Sequence, residues 1–188
     1  MRIIGGNLKG SNIFNVSNKN IRPLKDLARE SIFNLLAHSK KILFQLDQSN
    51  ILDLYSGTGS FGLECLSRDA KNVYFVEKDE IAIKILKKNI KKLNIENKTK
   101  IFHNDVFETI EKDSMIKEFN LIFCDPPFKN KNIKNLIELI FKKKLLKENG
   151  IIVIHRNKRD NDDLPVFFQT LENRSYGISK IIFGKFLS

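Results

Sequence analysis

Five short apolar runs, NILDLY, NVYFVE, KIFHND, FNLIFCD and GIIVIH, recur between residues 50 and 155 with helical patterns between them. Each is nearly continuous in Ile, Val, Leu and Phe rather than alternating, the pattern of strands buried on both faces. The intervening helix candidates are Ser60 to Ser67, Glu80 to Leu93, Val106 to Glu111 and Asn132 to Lys144. Strand and helix repeated in this order leave few architectures, and the expected one is a mostly parallel α/β sheet with helices on both faces. In such sheets ligands bind at the carboxyl ends of the strands, near the switch point. Asp53, Glu77, Asp105 and Asp125 all fall at those ends.

The two flanks break the repeat. After Pro165, VFFQTLENR and ISKIIFGKF are separated by the turn-like SYG, so an antiparallel hairpin is expected to close the sheet and bring it to seven strands. Residues 1–48 read as a basic extension preceding a catalytic domain over 49–188. Its opening, RIIGGNLKGSNIF, has turn glycines between two short runs and reads as a small N-terminal hairpin. The following RPLKDLARESIFNLLAHS reads as a helix begun by Pro23, with Ala28, Ile32, Leu35 and Leu36 as its apolar stripe. Arg22, Lys25 and Arg29 form an adjacent line of cations, which, with Arg2 and Lys9 on the hairpin, are candidates to hold a phosphate backbone.

A chain of 188 residues, 41% hydrophobic, suffices for one α/β core. Its net charge of +11 favours polyanionic partners, nucleic acid first, although lysine-rich composition alone is an ambiguous sign. Cys65 and Cys124 lie in expected core elements without a CxxC or Cys/His cluster, so neither a disulfide framework nor a metal site is expected. No signal peptide and no membrane span is apparent, and a cytoplasmic monomer is expected.

The stretch LDLYSGTGSFG carries Gly57, Gly59 and Gly62 at the spacing of a dinucleotide-binding loop, with Glu77 twenty residues beyond Gly57. Taken alone, that is an NAD-dependent oxidoreductase. Three acids ending three successive strands point elsewhere. Asp53 can attract an α-ammonium group, which NAD does not possess. Glu77 can accept from two ribose hydroxyls, and Asp105 from an exocyclic adenine amine. Ammonium, ribose and adenine together describe S-adenosylmethionine. Gly57 and Gly59 then let the backbone approach its methionine part. Ser56, Lys78 and Val106, each beside one of these residues, complete the candidate cofactor set. A cap for the following helix is the alternative role for each acid.

Asp125, Pro126, Pro127 and Phe128 follow the fourth strand. A nucleobase amine is a poor nucleophile, because its lone pair is delocalised into the ring. Hydrogen bonds from its two N–H groups to fixed acceptors direct that lone pair at an electrophile. The Asp125 carboxylate offers one acceptor and a carbonyl of the proline pair the other, while Phe128 offers a face for a flipped base. His38, His103 and His155 show no metal spacing, and His155, ending the fifth strand, is placed where it could touch substrate.

In these features the chain resembles the bacterial 16S rRNA guanine-N2 methyltransferases of the RsmD type. The resemblance rests on RIIGGNLKG, RPLKDLARESIFNLL, LDLYSGTGSFGLECLSRDAKNVYFVEKD, NDVF, DPPF and YGISKIIFG, which span nearly the whole sequence. It implies a class I, Rossmann-like methyltransferase fold using S-adenosylmethionine, and a guanine of 16S rRNA in a small-subunit ribonucleoprotein intermediate as substrate. The chain departs from that pattern at Leu24, where Thr is usual, at Asp69, where Gly is usual, and at His155, where Glu is common. The rival readings are adenine-N6 methylation of DNA or RNA and a noncatalytic RNA-binding assembly factor.

Overall fold

The computed structural model describes residues 1–16, 26–112, 118–127, 131–160 and 162–187. Its seven strands are β1 (Asn50–Leu54), β2 (Asn72–Glu77), β3 (Thr99–His103), β4 (Phe119–Cys124), β5 (Leu146–Asn157), β6 (Phe168–Tyr176) and β7 (Ser179–Phe186). They form one sheet in the order β3-β2-β1-β4-β5-β7-β6. The pairs from β3 through to β5 are parallel, and β7 runs antiparallel to both β5 and β6. Tyr176 pairs with Ser179, so only Gly177 and Ile178 make the turn, and Gly177 takes φ 57° as the first central residue.

Side-chain alternation along the central strands feeds two cores. Ile51, Leu121, Phe123, Ile151 and Val153 face one buried cluster, while Leu52, Leu54, Ile122, Cys124, Ile152 and Ile154 face the other. On the first face lie α1 (Asp26–His38), α2 (Ser60–Ser67) and α3 (Glu80–Lys92); on the second lie α4 (Val106–Glu111) and α5 (Ile133–Lys142). The strand at the β3 edge differs from the sequence expectation: none of its five residues is fully buried. With one neighbour only, it keeps an apolar reading but loses the cover that central strands have.

Residues 1–16 pack on the first face. Ile3 and Ile13 share its core with Ile32, Phe33 and Leu36 of α1, and rings of Phe33, Phe61 and Phe123 stack in series at centroid distances of 5.2 and 3.9 Å. The glycine pair of RIIGG has a packing reason. A Cβ on Gly6 would stand 1.8 Å from the Ser67 carbonyl oxygen, and Gly6 also holds φ 75°. That closeness lets Asn7 and Leu8 donate their backbone N–H groups to Ser67 O and Oγ at the end of α2.

The same helix end explains Asp69. Ala70 N–H donates to Cys65 O and Asp69 N–H to Leu66 O, the paired bonds of a Schellman motif. Asp69 occupies its left-handed position at φ 70°, where glycine is the ordinary choice, and its Oδ1 accepts from Asn7 Nδ2 at 2.7 Å. Among the described residues, no helix is long and apolar enough to cross a membrane.

Candidate active site

The sheet order reverses between β1 and β4, and the loops after these strands meet there. Asp125 N–H donates to Leu54 O at 3.3 Å, fastening the start of the DPP loop to the end of β1. One residue earlier, Asp53 is 1% exposed. Its Oδ2 accepts the Gly62 N–H at 3.0 Å, and its buried Oδ1 has no donor among the described residues. Burial pushes the Asp53 carboxyl well above the usual carboxylate range. The Gly62 N–H opposes that rise, and the charges of Asp125 and Glu77 add to it.

The loop between β1 and α2 alternates in hand, with Tyr55, Gly57 and Gly59 at φ 59°, 55° and 86°. Its glycines do different things. A Cβ on Gly59 would meet Leu86 Cδ1 at 2.3 Å and one on Gly62 the Phe75 ring at 2.4 Å, so both let α2 close on β2 and α3. A Cβ on Gly57 meets no atom within 4 Å; its need for glycine is conformational, and its outer face is open to a ligand. The Ser56 hydroxyl is buried beside it with no hydrogen-bond partner among the described residues.

Glu77 braces this loop. Its Oε2 accepts the Gly57 N–H and its Oε1 those of Lys78 and Asp79, each at 2.8 Å. A carboxylate has about four acceptor positions, so about one remains on Oε2 for a hydroxyl. Asp105 caps α4 through the Phe107 N–H at 2.9 Å, and its Oδ2 lies 3.3 Å from Lys78 Nζ. Val106 is buried in the second core. Asp125 is partly buried, Pro126 buried and Pro127 exposed. Phe128 lies outside the described residues.

These groups form an acceptor-rich site that couples Asp53 electrostatically to Glu77 and Asp125. A pyrophosphate would be repelled there, whereas a cation carrying an ammonium and ribose hydroxyls suits the field of these acids and the remaining acceptor of Glu77. The residues present therefore fit S-adenosylmethionine and disfavour a dinucleotide.

A family model described as conserved hypothetical protein 95 matches residues 1–185. The chain belongs to this family. It is 35% identical over 161 residues to the ribosomal RNA small subunit methyltransferase D of Buchnera aphidicola subsp. Baizongia pistaciae, covering 86% of this chain and 78% of that relative. It is 33% identical over 159 residues to YlbH of Bacillus subtilis, covering 84% and 83% respectively. The solved structure of YhhF from Escherichia coli shares the fold with a TM-score of 0.84 at 22% identity, over 100% of this chain and 98% of that one. The architecture is the class I methyltransferase fold.

Within this member of the family, the cationic line on α1 is not as the sequence suggested. Arg29 is 0% exposed, so it cannot offer its charge to a phosphate backbone. It donates to Arg2 O at 2.7 Å, to Asp26 Oδ1 at 2.9 Å and to the Met1 sulfur at 3.2 Å. Its Nε also faces Glu64 Oε2 at 4.0 Å. A helical wheel places Arg29 beside the apolar stripe but does not reveal that the N-terminal hairpin covers it. Arg22 and Lys25 lie outside the described residues, and Arg2 and Lys9 are exposed. Lys9 follows Leu8, whose N–H donates to Ser67 Oγ at the end of α2 opposite the glycine loop.

Two buried polar residues that tie residues 1–16 to the rest of the fold carry no clear signal in the sequence. Asn89 is fully buried on α3; it accepts from Phe14 N–H at 2.7 Å and donates to Phe14 O at 3.0 Å and Thr58 O at 3.1 Å. It thereby joins the extension to the glycine loop, and the available signal was a lone amide on an apolar helix face. Glu64, the one charged residue in SFGLECLS, accepts the Ile4 and Gly5 N–H groups at 2.8 and 2.7 Å.

Proposed function

We propose that this protein transfers a methyl group from S-adenosylmethionine to the N2 amine of a guanine in small-subunit rRNA, within a ribonucleoprotein assembly intermediate. The observation that carries the reading is the placement of Asp125, tied to the end of β1 beside the buried Asp53, where amine acceptor and cofactor acids share one site. When bound, S-adenosylmethionine supplies an electrophilic methyl on a positively charged sulfur.

The chain's own residues do the rest. Asp53 attracts the ammonium end, Glu77 receives a ribose hydroxyl, and the Gly57 turn leaves space beside the backbone. Asp105 and Lys78 border the adenine side, with Val106 as apolar support beneath them. Asp125 accepts one N–H of the guanine amine, and a carbonyl of the Pro126–Pro127 pair accepts the other. The lone pair is thereby aimed, and after transfer the methylated nitrogen gives its extra proton to water, so rate comes from orientation rather than a strong base. The exposed cations Arg2 and Lys9 are candidates for more distant RNA contacts.

Membership of a family that includes an rRNA small-subunit methyltransferase supports RNA as the substrate class. The test is mass mapping of nucleosides from immature small-subunit particles incubated with the protein and labelled cofactor. N2-methylguanosine at one position is expected. N6-methyladenosine would transfer the reading to the adenine rival, and no label with intact cofactor binding would favour the noncatalytic assembly factor.

A further inference from the structure

Cys124 of β4 and Ile154 of β5 are register partners, so Asp125, the first residue after β4, and His155, the next residue of β5, stand side by side. His155 Nδ1 lies 2.7 Å from Asp125 Oδ1, with the two side chains 8% and 21% exposed. An ionised carboxylate can only accept, so a neutral His155 carries its hydrogen on Nδ1 and donates it. The imidazole stands on a fixed base: β5 is flanked by β4 and β7, with His155 opposite Ile181. The next residue, Arg156, is clamped by Asp162 at 2.9 Å and Asp160 at 3.3 Å.

We propose that His155 is a positioning residue for methyl transfer: its Nδ1–H holds Asp125 Oδ1, which turns Oδ2 toward the substrate amine. This rests on the role given to Asp125 above. An aspartate side chain has two rotatable bonds, and an acceptor that swings away from the amine no longer directs the lone pair. Misplacement by about 1 Å at a reacting centre can cost about 100-fold in rate, so a hydrogen bond that only orients can matter for turnover without touching substrate. A merely structural His–Asp pair would affect folding and leave turnover alone.

The test compares His155→Leu, which removes the donor, with His155→Asn, which returns an N–H near the position of Nδ1. The Leu variant should lose about 10- to 100-fold in kcat while KM for RNA and Kd for S-adenosylmethionine stay within about threefold. The Asn variant should recover kcat to within about fivefold of native. A Leu variant with native kcat, or equal losses in both variants, overturns the proposal. Nitrogen-15 NMR of the native protein is a second measurement that needs no substitution: the Nδ1–H tautomer is required, and dominance of the other tautomer overturns the pairing. If the native protein fails to methylate guanine, the proposed function fails while the NMR arm still judges the pairing. If it methylates guanine and His155→Leu keeps its kcat, only the role of His155 fails.

Discussion

The backbone N–H of Gly57 donates to Glu77 Oε2 at 2.8 Å, and this one bond couples the end of β2 to the glycine loop after β1. The glycine spacing and the distant acid, read from sequence as two parts of a cofactor motif, are one hydrogen-bonded unit. Glu77→Ala removes the acceptor for three backbone N–H groups as well as the proposed ribose contact. It should weaken S-adenosylmethionine binding by about 10- to 100-fold by calorimetry, and Glu77→Gln should weaken it less, since it keeps one oxygen acceptor. Equal affinity in Glu77→Ala and native protein would remove Glu77 from the cofactor site.

Asp53 opposes stability in the cofactor-free protein. Burial raises its folded pKa above the unfolded value, so the native state binds the proton more tightly. The stability from this group is therefore present below the unfolded carboxylate range and is lost as pH rises through the folded pKa. Asp53→Asn keeps an oxygen for the Gly62 N–H without the charge. At pH 7 it should raise the melting temperature by roughly 2–6 °C, and the gain should shrink as pH falls toward about 4. The same variant should bind S-adenosylmethionine more weakly. A gap that does not change with pH would contradict this account.

Gly6 and Gly10 separate packing from backbone strain. Both have positive φ, 75° and 85°, but a Cβ on Gly10 meets no atom within 4 Å, whereas one on Gly6 collides with the Ser67 carbonyl. Gly10→Ala should cost about 1 kcal/mol and Gly6→Ala clearly more, about 2–4 kcal/mol, by urea unfolding. Equal costs would mean that the hairpin does not dock on α2 as described.

Arg29 belongs to the interior. Arg29→Met leaves Glu64 buried with one cation fewer and should destabilise the protein by about 3 kcal/mol, without changing the salt dependence of RNA binding. A flatter salt slope with native stability would return Arg29 to the RNA surface.

The fold was legible where the residues carry a period. The central strands and Ser60 to Ser67 were readable because apolar runs and glycine turns are local signals. The hairpin at the end was readable because two strands with so short a connection can only pair antiparallel. What stayed hidden depends on contacts between distant segments. His155 meets Asp125 across thirty residues through strand register, and Arg29 is buried by residues 1–2 folding over it. Asp105 shows the limit of a motif, since a strand-end acid both caps α4 and pairs with Lys78.

The central claim is that the Asp125 carboxylate directs the amine. Single-turnover methyl transfer by Asp125→Ala, measured beside its S-adenosylmethionine Kd, tests it most directly. The account predicts a rate loss of at least about 100-fold with Kd within about threefold of native. A rate within threefold of native, on a folded variant with cofactor bound, would contradict it.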